Sequence, residues 1–219
     1  MLTKIYSSPV LVRILPFAVF AALTLVQGRF GDAGQYWIYG LKTIVGAWML
    51  WQVRAYVKEM KWRFSWEAVA AGVLVFAVWV GLDGLYPMLA EREASFNPER
   101  TFGAGSVLGW IFISIRLLGS SLVVPPLEEI FYRSFLYRYL VKSDFLAVPL
   151  RHFDWRAFLI TGAVFGIGHY EWLPGILCAF AYQGLVIRKD RLGDAITAHA
   201  ITNFLLAVWV VARQAYQFW

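Results

Sequence analysis

Apolar residues run along this chain in long blocks separated by short, charged interruptions. The blocks fall at about 9–27, 35–53, 67–90, 107–141, 156–170, 172–187 and 194–212. Most approach the roughly twenty residues a helix needs to cross a hydrocarbon core, with tilt accommodating the rest. The pattern predicts an all-α fold, a polytopic membrane helix bundle of about seven to eight transmembrane helices. Block 107–141 is too long for one straight span and contains Pro125-Pro126. Proline removes a helical donor and its ring strikes the preceding turn, so a kink or restart is expected there.

The interruptions carry topology. Arg54, Lys58, Lys61 and Arg63 outweigh Glu59 in one loop, and Arg138, Lys142, Arg151 and Arg156 mark the stretch after the fourth block. Arg188, Lys189 and Arg191 mark a third basic loop. Loops of this kind face the cytoplasm. The segment from Glu91 to Arg100, with Glu91, Glu93 and Glu99 against Arg92 and Arg100, reads as exterior. One kinked crossing over 107–141 satisfies every loop, with the N-terminus inside and the C-terminus outside; two crossings there would break the rule. The first block, preceded by Lys4, outruns a typical signal-peptide core and lacks a clear small-x-small cleavage site, so it is read as a first span.

Composition supports the membrane assignment. The 219 residues are 60% hydrophobic and only 16% charged, whereas soluble domains carry about a quarter charged residues. No linker or repeat divides the chain, which implies a single integral membrane domain over 1–219. The net charge of +6 sits at the ends of apolar segments and forms no soluble basic face, which argues against a nucleic-acid partner. The single Cys178 excludes an intrachain disulfide and reads as packing.

Candidate chemistry stands out because ionisable groups at membrane depth are costly and default to function. Glu128 and Glu129 adjoin in block 107–141, with Arg133 four residues after the second. Glu129 and Arg133 share a helical face in the favourable acid-first order and read as structural partners. Glu128 points about 100° away, with Tyr132 at its own i+4 position. A carboxylate in an apolar cavity can take a proton from water near neutral pH; holding helices together through hydrogen bonds is the other role open to it.

His169 ends an apolar helix behind Gly162, Gly166 and Gly168, which permit close approach of a neighbouring backbone. His199 and Asn203 are i and i+4, and an imidazole with an amide can hold a developing oxyanion. His152 lies in a basic loop and reads as surface. At about 1.5 Å rise per residue, Glu128 and His169 lie about 21 Å from the cytoplasmic helix ends, Asn203 about 14 Å and His199 about 8 Å. The connection Tyr170–Pro174 is therefore expected to be buried, and the four groups to converge on a cavity open toward the cytoplasm. Ser120, Ser121 and Ser134 read as helix-packing hydroxyls.

Several functions fit these residues. Glu with two His is a ligand set of some catalytic zinc sites, so Glu128, His169 and His199 define a metalloprotease alternative, although H-E-x-x-H is absent. Buried Glu, His and Arg beside a proline-broken helix also suit a proton-coupled transporter, but no inverted repeat is evident. A silent membrane scaffold is a third alternative.

The three elements together resemble the CPBP family of intramembrane proteases, which includes CAAX-processing endopeptidases and bacteriocin-processing proteins. Its EExxxR, FxxxH and HxxxN motifs are met by Glu128 to Arg133, Phe165 to His169, and His199 to Asn203, over roughly residues 115–212 as catalytic core. The resemblance implies a glutamate-dependent endopeptidase that needs no metal or other cofactor. Glu128 and His169 would activate water, His199 and Asn203 would stabilise the oxyanion, and Glu129 and Arg133 would support them. Membrane lipids and a protein or peptide substrate would be its partners, and a bacterial inner membrane its setting. Ser134 departs from the glycine many members carry after the arginine. The Trp-rich helices look similar to a bacterial CAAX protease-related branch found beside exosortase systems, for which farnesylated substrates are not implied.

Overall fold

The computed structural model describes residues 7–88 and 96–219. Lys4 and the acidic part of the expected exterior loop, Glu91 to Glu93, lie outside the described residues. Among the described residues the regular structure is entirely helical. The helices are α1 (Leu11–Val26), α2 (Gly31–Val53), α3 (Trp66–Gly81), the short α4 (Pro98–Phe102), the compound α5 (Val107–Val141), α6 (Trp155–Ile167), α7 (Trp172–Lys189) and α8 (Gly193–Arg213).

Three helical runs, Leu11–Val53, Val107–Val141 and Gly193–Arg213, are long and apolar enough to cross a membrane. The first folds back on itself after the turn Gln27–Phe30, where Gly31 takes φ 72°. Lys42 of α2 then reaches Thr24 of α1, Nζ to Oγ1 at 2.9 Å, which makes the two helices antiparallel. Helices α3 and α6 are apolar but shorter. Helix α3 stops at Gly81 rather than near residue 90, because the chain turns at Leu82–Gly84 with Gly84 at φ 72°.

Apolar side chains also cover the outside. Trp37, Leu41, Ile44, Trp48 and Trp51 form an exposed stripe at helical spacing on α2. In water such a stripe would be a liability, whereas in hydrocarbon it is the favoured surface.

Helix α5 crosses Pro125-Pro126 without breaking. Two wide turns with i→i+5 bonding flank the prolines, Gly119–Val123 before them and Ile130–Leu136 after. Widening the helix ahead of a proline relieves the clash of its ring with the preceding turn. Close helix contacts depend on glycine. A Cβ on Gly72 would stand 2.6 Å from the Ala198 carbonyl oxygen, so α3 and α8 meet backbone to backbone. Gly175 of α7 likewise lies on Gly166 of α6. Gly168 differs: its two nearest neighbours are carbonyls of its own helix, which it ends, and the Tyr132 hydroxyl of α5 lies 3.8 Å from where a Cβ would stand.

Candidate active site

Helix α5 supplies the acids. Glu129 is fully buried, with Oε2 3.2 Å from Arg133 Nε, as the i, i+4 spacing predicts. The Arg133 guanidinium lies over the Phe165 ring at 4.6 Å and donates to the Ala179 carbonyl. Glu129 does more than pair with arginine: its Oε1 lies 3.0 Å from His199 Nδ1. The imidazole is thus oriented, with Nδ1 spent on Glu129 and Nε2 turned toward Glu128, whose Oε2 is 3.9 Å away. Tyr182 stacks on the same imidazole at 5.2 Å, and its hydroxyl donates to Thr202 at 2.7 Å. These links from α5 and α7 hold His199 in one orientation.

Glu128 is 15% exposed, and its Oε2 is buried without a hydrogen-bond partner. A buried unsatisfied carboxylate oxygen is costly unless another molecule serves it. His169 closes α6, where Nδ1 lies 2.8 Å from the Phe165 carbonyl. That contact makes Nδ1 the donor and leaves Nε2 as the free ring nitrogen. Its ring stacks on Phe165 and meets Trp79 edge-on.

Asn203 reveals what the prolines do. Its Nδ2 donates to the Ser120 carbonyl at 2.8 Å. That carbonyl is free because the Val124 N–H bonds to Gly119, five residues back, and Pro125 has no N–H to offer. Pro125 therefore leaves an acceptor in α5 that fixes Asn203 on α8.

One cavity of about 700 Å³ is lined by Glu128, His169, His199 and Asn203 together. The four predicted groups are thus brought to one space, while Glu129 and Arg133 lie behind it. The cavity's direction differs from expectation. Its wall continues through Gln27, Gly28, Gln35, Phe96, Tyr170 and Trp219, at the end opposite the basic loops. Toward those loops the stacked rings of Phe17 and Phe131, 4.5 Å apart, and Tyr132 close the bundle. Helical rise groups the four residues but does not say which side their neighbours seal. The connection after His169 is also only partly buried: Glu171 and Pro174 are enclosed and Tyr170 is exposed.

Among the described residues, no three His, Cys, Asp or Glu side chains are grouped as metal ligands would be. The geometry therefore gives the zinc alternative no support.

Sequence reasoning missed a second polar cluster. Glu59, in the loop after α2, takes Arg13 from α1 at 2.6 Å and Arg138 from α5 at 3.0 Å. Ser134 joins it, donating to Glu59 Oε1 at 2.6 Å and accepting from both arginines. Burial pushes the Glu59 carboxyl upward, but Arg13 beside it and the Ser134 hydroxyl outweigh this and hold it below its usual range. The serine that departs from the family pattern is thus an integral hydrogen-bonding member of this cluster. Arg13 inside the first apolar block was the available signal.

The helical bundle thus gathers a carboxylate, two imidazoles and an amide around one cavity, with His199 buried and the other three half-buried. Residues 112–205 match the family model for type II CAAX prenyl endopeptidase Rce1-like proteins. The matched segment contains all three motifs. No curated protein and no solved structure matches the chain.

Proposed function

We propose that this protein is a glutamate-dependent intramembrane endopeptidase with Glu128 as its general base. The observation that carries this is the unsatisfied Glu128 Oε2 in a cavity shared with His169, His199 and Asn203. A water held between Glu128 and His169 Nε2 loses a proton to Glu128 while its oxygen attacks the substrate carbonyl carbon. The oxyanion that forms faces His199 and Asn203. A doubly protonated His199, its Nδ1–H held by Glu129, presents Nε2–H; Asn203 has a second amide hydrogen beyond the one given to Ser120. Collapse breaks the C–N bond, and Glu128 returns its proton to the leaving amine.

The domain is the whole chain, 1–219, with 115–212 as catalytic core and the seven longer helices embedded in the bilayer. A bacterial inner membrane is its setting, an assignment that rests on the family resemblance. With the basic loops cytoplasmic, the cavity is entered from the opposite face, so the scissile segment is reached from that side.

The test compares protein termini in membranes of cells expressing wild type or Glu128→Gln, matched for folded protein. A terminus present only with wild type is expected. Indistinguishable termini would overturn the protease assignment.

A further inference from the structure

The hydroxyl of Tyr132 is a polar group that the chemistry above does not use. Tyr132 is 6% exposed, and its ring meets Phe17 at 5.4 Å, Phe131 at 4.9 Å and Phe165 at 4.9 Å, each edge-on. Phenylalanine would fill that place equally well, so packing explains the ring and not the oxygen. Other buried tyrosines show what an enclosed hydroxyl ordinarily does. Tyr36 engages Thr101 at 2.9 Å, Tyr39 the Arg116 carbonyl at 3.3 Å, Tyr137 the His152 carbonyl at 3.0 Å and Tyr182 Thr202 at 2.7 Å. Tyr216 has its oxygen sealed from solvent. The Tyr132 hydroxyl has no hydrogen-bond partner among the described residues, and it is not sealed. It is a donor open to a molecule from outside the chain.

Its position ties it to the site. Tyr132 follows Glu128 by four residues, a spacing that puts Cβ atoms about 5–6 Å apart on one helical face. Helical side chains lean toward the N-terminus, so the tyrosine reaches back along α5 toward the carboxylate. Across the gap, the hydroxyl lies 3.8 Å from where a Cβ on Gly168 would stand. Gly168 lines the cavity beside His169, whose ring stacks at 4.6 Å on the same Phe165 that Tyr132 meets. An acceptor, Glu128 Oε2, and a donor, Tyr132 Oη, therefore stand one turn apart near one histidine, neither of them hydrogen-bonded.

We infer that Tyr132 is a further catalytic residue, donating a hydrogen bond to the attacking water. The inference rests on Glu128 as general base. It assigns all four tetrahedral directions of that water. One hydrogen goes to Glu128 and the other to His169 Nε2, one lone pair accepts from Tyr132, and the remaining lone pair faces the substrate carbonyl carbon. As Glu128 takes its proton, the water oxygen gains negative charge, and a hydrogen bond to an anionic acceptor is stronger than one to a neutral acceptor. The contact therefore strengthens toward the transition state, the condition for raising kcat rather than tightening binding. Tyr132 keeps its own proton throughout.

The test uses the full-length protein in discs of phosphatidylcholine and the variant Tyr132→Phe, which removes one oxygen and keeps the ring. The substrate is a peptide spanning the terminus found only in wild-type membranes. kcat should fall about 10- to 100-fold with KM unchanged. A ring that serves packing alone predicts wild-type kcat, and that result would overturn the proposal. A raised KM at unchanged kcat would also overturn it, since that marks uniform binding of substrate.

A second measurement needs no substrate. Melting temperatures of wild type, Tyr132→Phe, Glu128→Leu and the double variant form a cycle. A water shared by the two side chains makes them non-additive: Tyr132→Phe should lower the melting temperature of wild type and barely change it in the Glu128→Leu background. Additive shifts would overturn the shared water. A non-additive cycle without any wild-type-only terminus would reject the protease, and catalysis by Tyr132 with it, while keeping the bound water. Such a terminus together with wild-type kcat in Tyr132→Phe would reject the role of Tyr132 alone.

Discussion

Helix α5 carries two buried polar clusters, and they differ in how completely their atoms are satisfied. Toward the basic loops, Glu59 is shared by Arg13, Arg138 and Ser134 with contacts of 2.6 to 3.0 Å. Toward the cavity, Glu128 Oε2 and Arg116 Nε have no hydrogen-bond partner among the described residues. The same helix and the same solvent impose the same desolvation cost on both. The first cluster offsets that cost internally and ties α1, the α2–α3 loop and α5 together. The second leaves it open, which is what a site that receives water or substrate requires. Polar satisfaction, more than depth, separates scaffold from site.

The contrast is tested most severely at Glu128. Glu128→Leu removes an unsatisfied group, so stability should hold or rise, while cleavage of any substrate identified by its termini should fall by about 10²- to 10⁴-fold. Turnover and melting temperature measured on the same preparation decide it. A large loss of stability would mean that Glu128 belongs with the scaffold.

Glu59→Leu is the mirror experiment. It leaves Arg13 and Arg138 buried near one another without their acid, a change that costs about 3–5 kcal/mol. Melting temperature should fall sharply, with turnover per folded molecule preserved. If activity vanished while stability held, the two clusters would not be the separate units the structure describes.

Much of this was legible in the sequence. Block lengths gave most helices to within a few residues, the third block, which ends at Gly81 rather than near 90, being the exception, and 107–141 is one continuous helical element, Val107–Val141. The grouping of Glu128, His169, His199 and Asn203 also followed from helical spacing and depth. Three things did not. The role of Glu129 as acceptor for His199 Nδ1 depends on how α5 and α8 meet, which no local pattern encodes. The freed Ser120 carbonyl follows from Pro125, but its capture by Asn203 requires α8 beside it. Lys42, Arg13 and Arg116 are charges inside apolar blocks, but nothing in their own segments marks their partners. Spacing along one helix locates a side chain in depth; it leaves unstated which neighbour is opposite, and hence which side of a cavity is sealed.

A smaller effect is expected at Ser134. Its hydroxyl donates to Glu59 and accepts from Arg13 Nε and Arg138 Nη2. Ser134→Gly keeps all three charges and their direct contacts, so the loss should be about 1–2 kcal/mol in a melting experiment, combining one buried hydrogen-bonding group with glycine's helix cost. A loss as large as that of Glu59→Leu would show that the hydroxyl, not the ion pairing, organises the cluster.

The smallest effect is in the pH dependence of stability, and its sign follows from Glu59. Its folded-state carboxyl is held below the ordinary value, against burial, chiefly by Arg13 and Ser134. A depressed acid contributes stability that is full above the unfolded-state value, about 4.3 for glutamate, and is lost as pH falls through the folded value. Between pH 7 and pH 5 only the edge of that window is crossed, so wild type should lose only about 0.1 kcal/mol from this group. Glu59→Gln, which has no proton to take up there, should start less stable and decline less steeply as the medium is acidified toward pH 4. Melting curves of the two proteins over that range should therefore converge. Parallel curves would place the acid sensitivity of the fold in carboxylates other than Glu59.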